Sequence, residues 1–368
     1  MSVRDVLQAV CDGERISAPD ALALLEHASL PELAWAADAI RGRKHPQRIM
    51  TYVIDRNINY TNICVSGCRF CAFYRNPGDP EGYVLTTEQI LDKIAEAVEL
   101  GATQILMQGG LHPDLDIEYY EALLAAIKAR FAVQVHCLSA PEIAHVARVS
   151  GLTVRETLSR LRAAGLDSLP GGGAEILVDS IRARVSPRKC TTNEWLDVMR
   201  TAAELGMRAT ATMVFGMGET GADRIEHLDR IRSLQDETGV FTAFIPWTFQ
   251  PGNTAMGGHA AGGHDYLRTL AVSRLYLDNI DNIQASLVTQ GAAIAQLALR
   301  FGANDIGSTM IEENVVAATT SCSGQICNLT RTSDSALIGL IHEAGFDAAQ
   351  RTTLYEYIRL HKRGEREP

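Results

Sequence analysis

Apolar positions along the chain recur with two different periods. Over residues 87–100, Ile90, Ile94, Ala97 and Val98 recur at helical spacing, and over 191–205 Trp195, Val198 and Met199 share one face. Each segment therefore predicts a helix with an apolar stripe, and such stripes are helix-on-sheet packing. Between them lie short runs rich in β-branched and aromatic residues, which predict strands over 50–59, 103–108, 133–139, 173–176, 208–215, 241–247, 283–288 and 304–308. Alternating strands and helices imply a parallel sheet, and this number of strands suits a closed α/β barrel. Ahead of the first strand, Ser17-Ala-Pro-Asp20 and Ser29-Leu-Pro-Glu32 are capping boxes with proline in the first turn. The glycine-rich stretch 251–263 predicts a loop, and beyond the last barrel strand the pattern is helical over 333–344 and 352–361. The expected organisation is an N-terminal helical extension (1–47), a barrel (48–309) and a C-terminal capping segment (310–368).

Charge narrows the function. The 368 residues carry 34 Lys and Arg against 44 Asp and Glu, a formal charge of −10, which disfavours binding along a nucleic-acid backbone. No stretch approaches the roughly 18 uninterrupted apolar residues of a membrane span, and the N-terminus turns charged before a signal-peptide core forms. A cytoplasmic protein with no nucleic-acid or membrane partner is expected. There, cysteines stay reduced and are not a disulfide framework. Cys64, Cys68 and Cys71 fall within one short segment, whereas Cys11, Cys137, Cys190, Cys322 and Cys327 are scattered; Cys322 and Cys327 are expected to be two ordinary thiols.

The triplet is Cys64-Val-Ser-Gly-Cys68-Arg-Phe-Cys71, directly after the first predicted strand. Thiolates suit zinc or iron–sulfur, and tetrahedral zinc needs a fourth ligand that the segment lacks. A 4Fe–4S cube held by three cysteines leaves one iron open to a small molecule. A zinc ribbon completed by a distant ligand is the structural alternative. A plain electron carrier is the non-enzymatic one, and it usually has four cysteines per cluster and a shorter chain.

This spacing, with the aromatic Phe70 before the third cysteine, resembles the signature of the radical S-adenosylmethionine (SAM) superfamily. The resemblance implies a radical SAM TIM-type (β/α)8 barrel with one 4Fe–4S cluster on Cys64, Cys68 and Cys71, and SAM as co-substrate. It also implies a reductant such as flavodoxin or ferredoxin. Phe70, Ala72 and Tyr74 are expected to lie around SAM. Gln108, Gly109 and Gly110 match the family's Gly-Gly motif, although Leu111 replaces the acidic residue that usually follows. The segments Asn57-Ile-Asn-Tyr-Thr-Asn62 and Cys71-Ala-Phe-Tyr-Arg75 resemble the branch containing deazaflavin synthase subunits and two radical enzymes of futalosine-type menaquinone biosynthesis. Within it, Gln104-Ile-Leu-Met-Gln-Gly-Gly-Leu-His-Pro113, Ser168-Leu-Pro-Gly-Gly-Gly-Ala-Glu-Ile176, Pro246-Trp-Thr-Phe-Gln-Pro-Gly-Asn253 and Glu312-Glu-Asn-Val-Val316 resemble the branch's oxidative cyclase. That implies hydrogen abstraction from C4′ of dehypoxanthine futalosine, radical addition to its benzoate ring, and loss of an electron and a proton. The aminofutalosine-forming and deazaflavin-forming enzymes are the alternatives.

A barrel gathers active-site groups at the C-terminal ends of its strands. The sequence offers Gln108 and His112, His136, Ser139 and Glu142, Glu175, Glu219, then Trp247, Gln250 and Asn253, Gln284 and Ser286, and finally Asn304, Asp305 and Ser308. His136, Glu175 and Asp305 are by position the candidate bases for the proton step. A hydrogen-bonded core role for His136, a helix-start role for Glu142 and a turn at Asp305 remain open. Arg56, Arg75 and Arg208 are candidate partners for the benzoate carboxylate.

Overall fold

The computed structural model describes residues 2–319 and 332–365; Cys322 and Cys327 lie outside the described residues. Its strands are β1 (Ile49–Val53), β2 (Asp55–Ile58), β3 (Gln104–Met107), β4 (Gln134–Cys137), β5 (Ser168–Leu169), β6 (Arg208–Phe215), β7 (Phe241–Thr248), β8 (Asn282–Ile283), β9 (Asp305–Ser308), β10 (Asp347–Arg351) and β11 (Tyr357–His361). From β2 to β8 each strand pairs in parallel with the next. Closure comes from β9, which pairs with β1 on one side and meets the end of β8 through the Gln284–Asp305 bridge on the other. Since β1 and β2 are halves of one strand interrupted at Ile54, the ring closes as the expected eight-stranded parallel α/β barrel.

Helices cover the outside. Thr87–Glu99 buries Ile90, Ile94 and Ala97 but leaves Val98 exposed, and Thr192–Glu204 buries Trp195, Val198 and Met199. Three N-terminal helices, Val3–Asp12, Ala18–His27 and Leu30–Lys44, pack among themselves, and the second and third lie on barrel helices Gly221–Thr238 and Gly263–Tyr276. The Ser17–Asp20 and Ser29–Glu32 capping boxes start the second and third as expected, and an unforeseen Ser2–Asp5 box starts the first.

Two expectations are corrected. The fourth strand is not at 173–176. Residues 171–173 are three glycines, Gly173 and Glu175 have φ of +81° and +41°, and the ladder forms earlier, where Ser168 pairs with His136 and Arg208. The expected helix over 352–361 is an antiparallel hairpin arm instead: β11 returns along β10, which itself pairs in parallel with β1. Tyr357 and Ile358 suit a strand, and the left-handed turn at Tyr355 (φ +67°) is incompatible with a continuing helix. The 333–344 helix forms as Asp334–Glu343.

Candidate active site

After β2 the chain enters the cysteine loop. Cys64 N–H donates to Arg75 O at 2.9 Å and Arg75 N–H to Asn62 O at 2.8 Å, so both ends of the loop are clasped together. Cys71 N–H donates to Cys68 O at 3.1 Å, closing a turn between the second and third cysteines. Gly67 has φ +58°, and a Cβ there would lie 2.1 Å from the Arg188 guanidinium, whose Nε donates to Ser66 O at 3.2 Å. The left-handed backbone favours glycine there, and any side chain would also have to displace the Arg188 guanidinium. Burial pushes the Cys68 thiol up to about 11 and also raises Cys71, and Coulombic repulsion couples Cys71 to both Cys68 and Cys64. Ligand thiols must lose their protons on metal binding, so a group bound here has to offset the cost of burying thiolates.

The Gly-Gly turn after β3 lies against this loop. A Cβ on Gly110 would sit 2.2 Å from Ile63 O and 2.9 Å from Cys64 Cβ, and one on Gly109 would meet the Tyr60 ring at 2.6 Å. Gly110 N–H donates to Thr61 O at 2.9 Å, and Val65 N–H to Leu111 O at 3.0 Å. Beneath the turn is Glu142, a buried carboxylate whose Oε1 accepts from Gly109 N (2.9 Å) and Tyr60 O–H (2.8 Å) and whose Oε2 accepts from Ser139 N (2.7 Å) and Oγ (2.5 Å). Glu142 is thus both the helix-start carboxylate and the brace of the Gly-Gly turn. Glu142→Ala leaves the Gly109 and Ser139 backbone N–H groups without an acceptor, at about 1–3 kcal/mol each, while Tyr60 O–H keeps Tyr120 O–H at 3.1 Å. The expected result is a loss of roughly 3 kcal/mol in denaturant unfolding.

The barrel interior encloses a cavity of about 310 Å³ that opens beside Phe70, Cys71 and Ala72. Leu106, Ile245, Trp247, Phe249 and Ile306 give it apolar walls. Of the strand-end groups, His136, Glu175, Trp247, Gln250, Gln284, Ser286 and Ser308 line it, whereas Gln108, His112, Ser139, Glu142, Glu219, Asn253, Asn304 and Asp305 do not. His136 Nδ1 lies 2.7 Å from Ser168 Oγ, and burial, followed by the Arg351 charge, lowers its pKa to about 3, so the ring is neutral at pH 7. Glu175 Oε1 accepts from Lys189 Nζ at 2.8 Å; its Oε2 has no hydrogen-bond partner, with Arg182 3.7 Å away. Lys189 Nζ in turn lies 5.5 Å from the Phe70 ring centre. Asp305 is fully buried behind the wall, bonded to Thr51 Oγ1 (2.6 Å), Gly307 N (2.8 Å) and Arg351. Tyr74 is not among the residues lining the cavity.

None of the three expected carboxylate partners faces the cavity. Arg56 pairs with Glu96 and Glu312 at 2.7 Å each, Arg75 pairs with Glu81 at 2.7 Å, and Arg208 bonds Gly239 O at the start of β6. Lining groups that the sequence reading missed are Asp55, Asn57, Gln104, Glu313, Arg351 and Tyr355. Asp55 and Asn57 alternate along the first strand, an inward period-two signal that could have revealed them. Nothing in the pattern around Arg351 marks it as internal.

Models of the radical SAM superfamily and of the CofH/MqnC C-terminal region match residues 58–231 and 238–364. The chain is 49% identical to the cyclic dehypoxanthine futalosine synthase of Halalkalibacterium halodurans, covering 98% of this chain and 96% of that one. It is 45% identical to the protein of the same name from Streptomyces coelicolor, covering 98% and 90%. The chain belongs to the radical SAM superfamily. A 5-amino-6-(D-ribitylamino)uracil–L-tyrosine 4-hydroxyphenyl transferase of Methanopyrus kandleri is 39% identical, covering 89% and 93%. The solved hydrogenase maturase HydG of Carboxydothermus hydrogenoformans superposes with a TM-score of 0.74 at 16% identity, over 96% of this chain and 80% of that one, and attests the shared fold.

Radical SAM enzymes use a 4Fe–4S cluster and SAM, and the residues present fit both. Among the described residues no three His, Cys, Asp or Glu side chains converge on a position for a single metal ion. A 4Fe–4S cube takes one thiolate per iron, and the three cysteines share one loop that can supply three. The close approach that the two glycines allow is that of the Tyr60 ring and the Ile63 backbone, and the cavity beside Phe70, Cys71 and Ala72 leaves room for a second group next to the thiols. No helix among the described residues is long and apolar enough to cross a membrane.

Proposed function

We propose that this chain catalyses the oxidative cyclisation of dehypoxanthine futalosine, a carbon–carbon bond-forming step of futalosine-type menaquinone biosynthesis. The observation that carries the reading is the 49% identity to a cyclic dehypoxanthine futalosine synthase across nearly the whole chain. Cys64, Cys68 and Cys71 would hold the cluster, and SAM bound there, on one-electron reduction, would supply the hydrogen-abstracting chemistry directed at substrate C4′. The C4′ radical adds to the attached benzoate ring, and rearomatisation would pass one electron back to the cluster and one proton to a base in the cavity, so the substrate loses two hydrogens. A low-potential carrier such as flavodoxin or ferredoxin delivers the initiating electron.

The chain's own groups divide the remaining work. Cys64, Cys68 and Cys71 hold the cluster, while Gly109, Gly110, Phe70 and Ala72 border the space for SAM. Trp247, Phe249, Ile245 and Leu106 enclose the aromatic ring and exclude water that would quench a carbon radical's selectivity. Asn57 and Glu313, joined at 2.8 Å, offer acceptors to the ribose hydroxyls, and Asn57 Oδ1 is buried without a partner of its own. His136 and Glu175 line the cavity where a proton acceptor is needed, and Asp305 holds Arg351.

The test is anaerobic reconstitution with iron and sulfide, followed by SAM, reductant and dehypoxanthine futalosine, with deoxyadenosine and substrate both followed by mass spectrometry. A product two hydrogens lighter, formed in step with deoxyadenosine, is the expected outcome. Deoxyadenosine released over unchanged substrate sinks the cyclase reading. Turnover of tyrosine with 5-amino-6-(D-ribitylamino)uracil would instead place the chain with the transferases.

A further inference from the structure

The deep end of the cavity is built by the C-terminal hairpin. Gln350 on β10 pairs with Tyr52 on β1, which places Arg351 level with Val53, several residues below Asn57 and further still from the cysteine loop. Arg351 is the one Lys or Arg among the described residues lining the cavity, and it is 5% exposed. Its Nε and Nη2 (3.3 Å) bond the Asp305 carboxylate, Nη2 also lies 3.5 Å from Gln284 Oε1, and Nη1 donates to Thr352 O at 3.2 Å. A guanidinium carries five N–H donors. Asp305 takes the side edge, which leaves for the end-on edge one uncommitted N–H on Nη1 and the Nη2 N–H whose 3.5 Å contact with Gln284 Oε1 is long enough for a ligand oxygen to displace.

Tyr355 adds a second donor. Its ring lies 4.1 Å from the Arg351 guanidinium carbon, its left-handed backbone (φ +67°) turns the chain between β10 and β11, and its buried hydroxyl has no hydrogen-bond partner. Buried hydroxyls are almost always partnered, so an acceptor is missing from this position. A sugar hydroxyl could satisfy Tyr355 alone, but an end-on guanidinium edge beside it matches two coplanar oxygens bearing a negative charge.

We propose that Arg351 and Tyr355 form the seat of the substrate's benzoate carboxylate, Arg351 pairing both oxygens end-on and Tyr355 O–H donating to one of them. The inference rests on the cyclase reading. It sets the carboxylate deepest in the barrel and turns the ribose, with its reacting C4′, toward the cysteine loop. Burial raises the pKa of neighbouring Asp55, against hydrogen bonds from Ser308 and Gln104 that lower it.

The experiment compares binding of dehypoxanthine futalosine with that of its carboxamide, by calorimetry on the cluster-loaded, SAM-bound protein. The native protein is expected to favour the carboxylate by about 100-fold. Tyr355→Phe removes a hydroxyl that bonds nothing in the fold, and should weaken carboxylate binding by about tenfold while leaving carboxamide binding within about twofold. Arg351→Gln should bring the two ligands within a few-fold of each other, with Arg351→Lys intermediate. If Arg351→Gln does not fold, the Tyr355→Phe ratio decides. Variants that keep the native preference overturn the seat while native binding upholds the cyclase; a native protein that binds neither ligand overturns both.

Discussion

Cys68→Ala is expected to abolish the chemistry while leaving the fold in place. The side chain is buried beside Ser66 Oγ at 3.1 Å, and in the metal-free chain that weak contact is all the substitution removes by way of hydrogen bonding. Unfolding stability should therefore fall by only about 1 kcal/mol. After reconstitution the loss is of another order. Two thiols remain for a cluster that three would hold, and since outer-shell changes alone cost 10–100-fold at metal sites, deoxyadenosine formation should fall by at least about 100-fold. Bound iron and the visible absorbance of the reconstituted protein report the same loss independently of turnover. Cys137→Ala is the matched control, because Cys137 is fully buried in the apolar core and should cost packing without cost to iron content. A Cys68→Ala protein that retains cluster and SAM cleavage would contradict the assignment of the triplet.

The features legible from sequence were those encoded locally. The triplet reads directly because its ligands sit within one loop, and the capping boxes at Ser17 and Ser29 read directly because a cap is satisfied within three residues. The strand ends also carried, and His136 on β4, Glu175 in the loop after β5 and Gln284 just after β8 reach one cavity. The deep end of that cavity was not legible. Over 352–361 apolar residues fall at helical separations, yet Leu354, Tyr357, Ile358 and Leu360 are each more than 40% exposed on the hairpin, so their spacing records no buried face. With that segment taken as a capping helix, Arg351 and Tyr355 had no reason to be placed inside the barrel. Asp305 shows the reverse limit. The sequence places it on the last barrel strand, but whether such a group faces the lumen or the neighbouring Arg351 is decided by a partner 46 residues further along the chain, beyond the reach of local periodicity.

Two glycine-to-alanine substitutions should move the protein in opposite directions. At Gly110 the added methyl would sit 2.2 Å from Ile63 O and 2.7 Å from its carbonyl carbon, both backbone atoms that cannot rotate away as a side chain can. Relief requires the Gly-Gly turn and the cysteine loop to separate, which strains the Gly110–Thr61 and Val65–Leu111 hydrogen bonds that join them. Overpacking of this kind costs about 1–3 kcal/mol, and here the displaced segment carries Cys64. Gly110→Ala should therefore lower the unfolding midpoint and, more sharply, the iron retained after reconstitution. At Gly42, inside the helix Leu30–Lys44, an added Cβ meets nothing within 4 Å and the backbone is already helical. Alanine there restricts the unfolded chain and should stabilise by about 0.5–1 kcal/mol with iron content unchanged. Both signs follow from one geometric quantity, the space at an absent Cβ. A Gly110→Ala protein with native iron content would mean that the turn does not support the cysteine loop, whatever its effect on stability.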